Sequence, residues 1–176
     1  MKYNLKNIPE NSKFLFFWGH QPSKDGSITK SCFSQWWKSD FSEDGILFSS
    51  AEQYMMAGKA KLFKDDACLQ LIQNTRDPKE CKKLGRKIKN FDDSIWNENK
   101  YSIVKQANLL KFSQDKDLQD YLRSTEAKVI VEASPYDRIW GIGMNQNDPR
   151  AMDPKQWQGE NLLGFALMEV RDVLSN

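Results

Sequence analysis

A glutamate and a lysine in the segment SSAEQYMMAGKA, residues 49–60, have the types and the spacing to act together on one small molecule. Glu52 and Lys59 are seven residues apart, so on a helix they differ by roughly 20° around the axis and roughly 10 Å along it. A carboxylate stabilises positive charge or transfers a proton, and a lysine amine becomes a nucleophile when its pKa is lowered. The segment therefore predicts one helix face that carries an acid and an amine.

Both residues also have an ordinary structural explanation. Ser49 and Glu52 fit a capping box, in which the serine oxygen accepts a hydrogen bond from the glutamate amide and the glutamate side chain accepts one from the serine amide. Lys59 fits a solvated surface lysine, although the neighbouring Gly58 and Ala60 leave room for a ligand near the backbone. Spacing alone favours the cap for Glu52.

A second group of polar residues follows a predicted strand in the last third of the chain. Glu132 lies near the end of the apolar segment KVIVEAS, residues 128–134, and the segment SPYDRIWG then brings Asp137 and Trp140. A carboxylate at a strand end and another in the next loop form a common site geometry. The competing interpretation is that Asp137 caps a turn or pairs with Arg138, and that Trp140 fills the core.

Three other motifs carry weaker signals. Gly141 and Gly143 lack the third glycine and the following helix of a phosphate-binding loop. The segment GENLLG opens the last predicted helix, where free amides and the side chain of Asn161 could hold a phosphate or a carboxylate, although most helix ends carry only caps. His20 has no serine or cysteine at a spacing that is diagnostic of a hydrolytic triad.

Composition limits the class of protein. The 176 residues include 26 Lys and Arg against 24 Asp and Glu, and their charges are interspersed, so no general field forms that would hold a nucleic-acid backbone. A local basic patch is compatible with these totals. Three cysteines without a C-x-x-C spacing and a single histidine predict reduced thiols and no metal site. The absence of a signal sequence and of a long apolar run predicts a cytoplasmic protein with no membrane partner.

Hydrophobic patterns predict the elements that position these residues. Apolar runs predict short strands at 14–19, 46–50 and 128–134, separated by a long loop over 20–45 and by polar loops. Helical periodicity and caps predict helices that begin near residues 50, 66, 78, 93, 116 and 160. The predicted fold is mainly α, an α-rich α+β single domain over residues 1–176 with a core at about 14–175.

Seven ordered segments resemble one family, the NADAR or YbiA-like proteins, which include riboflavin-biosynthesis-intermediate N-glycosidases. These segments are FFWGH, CFSQWW, SSAEQYMMAGKA, LGRKI, LLKF, EASPYDRIWGIGM and NLLGFALMEVR. The resemblance implies an α-rich fold with a few short strands. It also implies cleavage of an N-glycosidic bond, either in phosphorylated ribosylamino-pyrimidine intermediates or between ADP-ribose and modified guanine bases.

The resemblance also assigns roles by position. It implies that Glu52, Lys59 and Asp137 are catalytic, with Lys59 able to form a Schiff base. It implies substrate-binding roles for nine residues: His20, Phe33, Trp36, Tyr54, Glu132, Ser134, Trp140, Gly141 and Asn161. Many members have F-S-N-F where this chain has F-S-Q-W at 33–36, a change that could alter the choice of base.

The sequence therefore predicts a cytoplasmic N-glycosidase that needs no cofactor and no metal. Its expected partners are a small-molecule nucleotide or ADP-ribose substrate and ADP-ribosylated nucleic acid. A non-catalytic module that binds ADP-ribose or a nucleotide through the same residues is the alternative.

Overall fold

The computed structural model describes residues 1–175, and their contacts divide the chain into two compact units. The terminal unit contains residues 1–34 and the residues from 116 onward, and the central unit contains residues 35–115. Asn176, at the end of the predicted last helix, lies outside the described residues. The single domain over the whole chain stays a prediction.

Six helices and four short strands form the described part of the chain. In chain order they are β1 (Phe14–Phe17), β2 (Phe41–Glu43), β3 (Ile46–Phe48), α1 (Ala51–Leu62), α2 (Asp66–Gln73), α3 (Pro78–Gly85), α4 (Asp93–Ser113), α5 (Lys116–Arg123), β4 (Val129–Glu132) and α6 (Leu162–Ser175). The predicted α-rich α+β class is confirmed. No helix within residues 1–175 is both long enough and apolar enough to cross a membrane.

The terminal unit is built on two parallel strands and a buried helix. The apolar runs FLFF and VIVE form β1 and β4, whose register aligns Phe17 with Glu132. Helix α6 packs on β4 and on α5, and its residues from Leu162 to Arg171 are all buried. This packing fixes the position of the end of β4.

The central unit is helical apart from one hairpin. Helix α1 packs against α2, α3 and α4. Asp65 and Asp77 accept hydrogen bonds at the starts of α2 and α3, as their sequence positions predict. The central unit therefore surrounds α1, the helix that carries Glu52 and Lys59.

Two sequence-based predictions for the central unit are wrong. Strand β2 lies inside the predicted long loop. Asp44 and Gly45 adopt φ values of 51° and 77° and close a tight hairpin with β3, for which the dipeptide Asp-Gly is a typical signal. The helical spacing of Trp96, Ile103, Ala107 and Leu110 predicts an apolar stripe on α4, but of these four residues only Ala107 is buried. The buried residues are Lys100, Val104, Ala107, Asn108, Lys111 and Phe112, a face that includes polar side chains and therefore escapes an apolar pattern.

Candidate active site

The start of α1 does not use Glu52 as a cap. The N-cap is Ser50, whose hydroxyl accepts a hydrogen bond from the amide of Gln53. The side-chain oxygen of Gln53 accepts hydrogen bonds from the amide and the hydroxyl of Ser49, at 2.8 and 3.0 Å. The capping-box interpretation of Ser49 and Glu52 is therefore wrong by one residue, because the chain enters the helix at Ser50 and Gln53 reaches back instead.

Glu52 is buried in the first turn of α1, with 3% of its surface exposed. Its amide donates to the carbonyl of Gln35, and the side-chain oxygen of Gln35 accepts a hydrogen bond from Asn108 at 3.0 Å. The side-chain oxygen of Asn108 is buried and has no hydrogen-bond partner among residues 1–175. Because such atoms are rare and often mark a site of function or bound water, Gln35 and Asn108 join the candidates. In the sequence, this pair is indicated only by Asn108, an asparagine on the buried face of α4.

Glu52 and Lys59 both lie against helix α3. Burial first, and then the charge of the Glu52 carboxylate, raise the pKa of the Cys81 thiol to about 12. The Lys59 amine donates a hydrogen bond to the carbonyl of Gly85 at 3.0 Å. Cys81 and Gly85 are about one turn apart on α3, so the two side chains of α1 face the same neighbouring helix, as their spacing predicts.

Glycine at position 85 makes this contact possible. A Cβ atom at Gly85 would lie 2.0 Å from the sulfur of Met56 on α1, a distance at which the methionine would have to move. The absence of a side chain therefore lets α3 approach α1 closely enough for Lys59 to reach the Gly85 carbonyl.

Lys59 is half-buried against aromatic rings, so its interpretation as a solvated lysine is wrong. Its amine lies 4.0 Å from the ring centre of Phe91 and 5.4 Å from that of Trp96. Burial lowers the pKa of Lys59, against the opposing charge of the Asp93 carboxylate. A lowered pKa increases the fraction of neutral amine, which is the nucleophilic form.

The other two candidates of the central unit are aromatic. The Tyr54 hydroxyl donates a hydrogen bond to Glu43 at 2.7 Å. Burial, and then this hydrogen bond, raise the pKa of Tyr54 above its ordinary value, so the hydroxyl stays protonated at neutral pH. Trp36 is half-buried, and the amine of Lys82 lies 5.8 Å from its ring centre. Trp36 is therefore only partly enclosed, and aromatic rings in such positions can stack on a base.

In the terminal unit, several candidates follow the carboxyl ends of the two parallel strands. The register places Phe17, the last residue of β1, beside Glu132, the last residue of β4. The chain then leads to His20 after β1, and to Ser134 and Asp137 after β4. The carboxyl edge of parallel strands is a common location of ligand sites in α/β proteins, and this edge gathers two of the predicted acids.

Asp137 does cap a turn, as one of its two interpretations predicts. Its Oδ1 atom accepts hydrogen bonds from the amides of Ile139 and Trp140, at 2.9 and 2.8 Å. Its Oδ2 atom makes no hydrogen bond with another residue in the described range, and the side chain is half-buried. A second, chemical role is compatible with this geometry, because one carboxylate oxygen is enough to transfer a proton.

Asn161 and Gly141 hold the end of β4 in place. The Asn161 side chain is fully buried, accepts a hydrogen bond from the amide of Glu132 and donates one to the carbonyl of Ile130, both at 3.0 Å. A Cβ atom at Gly141 would lie 2.7 Å from the carbonyl oxygen of Glu132. Both residues therefore have positioning roles. The expectation of an available Asn161 side chain at the start of α6 is wrong, because β4 uses both of its polar groups.

Phe33 and Ser134 are also inside the terminal unit. Phe33 is fully buried, and its ring centre lies 5.6 Å from that of Phe17 and 5.5 Å from that of Tyr121. The expected substrate contact does not agree with this burial, because the ring is part of the core. Ser134 is buried, and its hydroxyl accepts a hydrogen bond from the amide of Tyr136.

The structure therefore sorts the predicted residues into two sets. The central unit contains Trp36, Glu52, Tyr54 and Lys59, and the terminal unit contains His20, Phe33, Glu132, Ser134, Asp137, Trp140, Gly141 and Asn161. Within residues 1–175, no three His, Cys, Asp or Glu side chains are grouped as a metal site requires.

The family model of the NADAR domain matches residues 16–175. The chain belongs to the NADAR family. This NADAR protein is 42% identical over 168 residues to N-glycosidase R617 of Acanthamoeba polyphaga mimivirus. The aligned region covers 93% of this chain and 97% of the relative. It is also 33% identical over 150 residues to N-glycosidase Npun_R5314 of Nostoc punctiforme. The aligned region covers 82% of this chain and 86% of that relative.

A solved structure shows the same fold. The NMR structure of the E. coli protein YbiA matches this NADAR protein with a TM-score of 0.74, over 93% of this chain and 86% of that chain, at 24% identity. The family resemblance of the sequence segments is thus confirmed by the family model, by the relatives and by the fold.

Proposed function

We propose that this NADAR protein is an N-glycosidase that hydrolyses the bond between a ribosyl carbon and a base. Relatives that match nearly the whole chain are named N-glycosidases. The observation that carries the proposal is the pair on α1: Glu52 is buried and does not cap the helix, and Lys59 has a lowered pKa. The two side chains lie on one face of α1, about two turns apart, so in the proposed site one small substrate spans both groups.

Glu52 suits the stabilisation of a positive sugar. Cleavage of an N-glycosidic bond passes through an oxocarbenium-like state, in which the anomeric carbon and the ring oxygen share positive charge. A carboxylate in a buried position acts on that charge more strongly than an exposed one, because less water screens it. The base leaves with the electron pair of the broken bond and takes up a proton, and water adds a hydroxyl group to the sugar.

Lys59 offers a covalent route to the same products. Its neutral amine attacks the anomeric carbon while the base departs with the bonding electron pair and a proton. The bond between the anomeric carbon and the ring oxygen then breaks, and a proton passes from the nitrogen to the ring oxygen, which gives an imine between Lys59 and the open sugar. Water hydrolyses this imine, which returns the free amine and the sugar aldehyde. The lowered pKa of Lys59 supports this role, because only the neutral amine has an electron pair to donate.

Asp137 is the proposed second acid. Its Oδ2 atom is available for a proton, and its Oδ1 atom is held by two backbone amides that fix the orientation of the carboxylate. Aromatic stacking on the base is the proposed role of Trp36 and Trp140, whose rings are both half-buried. The substrate classes that we propose are phosphorylated ribosylamino-pyrimidines and ADP-ribose linked to guanine bases.

A substrate panel tests the activity. The purified protein is incubated with ribosyl–base compounds of both classes, and mass spectrometry measures the free base and the released sugar. We expect equal amounts of the two products from at least one class. Binding of these compounds without release of a base would contradict the proposal and would support a non-catalytic module that binds ADP-ribose or a nucleotide.

A further inference from the structure

The near-neutral net charge conceals a strongly basic segment at helix α3. Between Arg76 and Lys89 lie seven of the 26 basic residues of the chain and only two of its 24 acidic residues. The charges are therefore not interspersed evenly along the sequence, contrary to what the totals suggest. Outside this segment acidic residues outnumber basic ones, so the positive potential is concentrated here.

The fold turns this segment into a surface. Cys81, Gly85 and Ile88 are buried, and Gly85 lies against α1, so one side of α3 faces the protein. Besides Lys83, which pairs with Glu80, four basic side chains that lie on α3 or in the turn after it are exposed: Lys79, Arg86, Lys87 and Lys89. We call these four residues the α3 basic surface.

The α3 basic surface keeps a net positive charge, although the Asp65 carboxylate lies near Lys89 and accepts a hydrogen bond from its amide at 2.9 Å. Arg76 pairs with Asp40 and Lys83 pairs with Glu80. None of the four members of the surface forms an ion pair with another residue in the described part of the chain. Stabilisation of the α3 dipole accounts for a cation in the last turn of the helix. It does not account for Lys79 in the first turn, or for Lys87 and Lys89 beyond the end.

An aromatic ring borders this surface. Trp36 is half-buried, and the amine of Lys82 on α3 lies 5.8 Å from its ring centre. Sites for single-stranded nucleic acids combine such elements: cations that follow the phosphates, and aromatic rings on which bases stack. A single nucleotide carries too few phosphates to use four separate cations, whereas a strand supplies one phosphate per nucleotide along its whole length.

We propose that the α3 basic surface binds the phosphate backbone of a nucleic-acid strand, with Trp36 stacking on one of its bases. An anionic membrane is disfavoured, because an amphipathic membrane anchor pairs its cations with inserted apolar side chains, and the exposed residues between 76 and 90 are all polar or charged.

Binding of an unmodified strand tests the surface without any dependence on catalysis. A fluorescent single-stranded oligonucleotide of about 20 nucleotides is titrated with the full chain between about 50 and 200 mM salt. The test variant is Lys79→Gln/Arg86→Gln/Lys87→Gln/Lys89→Gln. The control is Lys6→Gln/Lys13→Gln/Lys24→Gln/Lys155→Gln, which removes the same charge from four exposed lysines of the terminal unit.

We expect the parent and the control to bind with similar affinity, and the test variant to bind at least about tenfold more weakly with a salt slope lower by about 3. Trp36→Ala should weaken oligonucleotide binding about tenfold and leave the salt slope unchanged. The inference is wrong if the parent does not bind, if both quadruple variants lose affinity equally, or if the parent binds vesicles of anionic lipid but not the oligonucleotide. Failure of base release in the substrate panel would contradict the proposed activity and leave these binding results unaffected.

Discussion

Glu52 and Gln53 are neighbours on α1 and are both almost fully buried, with 3% and 2% of their surfaces exposed, yet their surroundings give them different tasks. The Gln53 amide group donates to the carbonyls of Ile72 and Thr75, at 3.0 and 2.8 Å, while its oxygen holds Ser49. Gln53 therefore ties the start of α1 to the chain after α2. Glu52 does not occupy the cap position at the helix start, so the chemical role that we propose for its carboxylate does not compete with helix capping.

Borohydride trapping should identify Lys59 as the nucleophile. If an imine forms during turnover, borohydride added with substrate reduces it and fixes the sugar to the protein, and peptide mapping should find the sugar on Lys59. The rate of trapping should rise with pH toward a midpoint below the ordinary lysine value of 10.5, because burial lowers the pKa of Lys59 and the neutral amine is the reactive form.

The control for this experiment is Lys59→Arg. Arginine keeps the positive charge, but its pKa is too high to supply a neutral nucleophile. Turnover of this variant at the parent rate, or a label on the neighbouring Lys61, would show that the Schiff-base role is wrong. Glu52 would then assist the direct attack of water, and Lys59 would bind a phosphate of the substrate.

The cysteines should be unreactive in the folded protein. Cys32, Cys68 and Cys81 are buried as free thiols, and burial together with the Glu52 carboxylate raises the pKa of Cys81 to about 12. Because the thiolate is the reactive form, a disulfide reagent at about pH 8 should label the native protein slowly and the denatured protein rapidly at all three positions. Rapid labelling of the native protein would contradict this burial.

At the scale of elements, the position of the end of β4 depends on the side chain of Asn161, the residue before α6, which forms hydrogen bonds with the β4 backbone. Asn161→Gly keeps the left-handed backbone, for which φ is 54°, but removes the hydrogen bonds to the amide of Glu132 and the carbonyl of Ile130. Two buried backbone groups lose their partner, so the free energy of unfolding should fall by about 2–4 kcal/mol. Urea unfolding measures this change.

The exposed Asn147 provides the matched control for that substitution. Asn147→Gly should change the free energy of unfolding by less than about 1 kcal/mol, because the side chain of Asn147 is solvated. An equal loss of stability in the two variants would show that the glycine backbone, and not the Asn161 amide group, causes the effect.

Much of the element order was predictable because local signals agree with the fold. Asp65 and Asp77 start α2 and α3 where their sequence positions indicate, and apolar runs give β1 and β4. The start of α1 was not predictable in detail. Ser49 and Ser50 both suit an N-cap, and the choice depends on contacts between Gln53 and residues more than 18 positions away in the sequence.

The candidate site was predictable in part for a similar reason. The spacing of Glu52 and Lys59 places both side chains on one face of α1, and this follows from helix geometry alone. The aromatic partners of Lys59 come from the start of α4, and the burial of Phe33 and Asn161 comes from packing between distant segments. These features depend on tertiary contacts that a local pattern does not contain.

At the scale of the whole molecule, the chain has few nitrogen and sulfur side chains that bind zinc or a similar metal. It contains a single histidine and three cysteines, and the proposed chemistry uses carboxylates and an amine. We therefore expect base release to continue unchanged after exhaustive chelation with EDTA. Loss of activity with EDTA and its recovery on addition of zinc or magnesium would show that a metal takes part.

The NADAR match extends over residues of both units, but the chemistry that we propose begins with α1. The most direct test compares base release in a single turnover by the parent, Glu52→Gln and Gln53→Ala, together with the thermal unfolding of each protein. Both substitutions change a buried side chain on the same turn of α1, so they separate chemistry from folding.

We expect Glu52→Gln to unfold within a few degrees of the parent. Its rate of base release should fall at least about 100-fold, because the variant loses charge stabilisation in the transition state. Gln53→Ala should unfold at a clearly lower temperature, since it loses several buried hydrogen bonds, and should keep turnover within about tenfold of the parent while folded. Release of base by folded Glu52→Gln at the parent rate would contradict the assignment of the chemistry to Glu52.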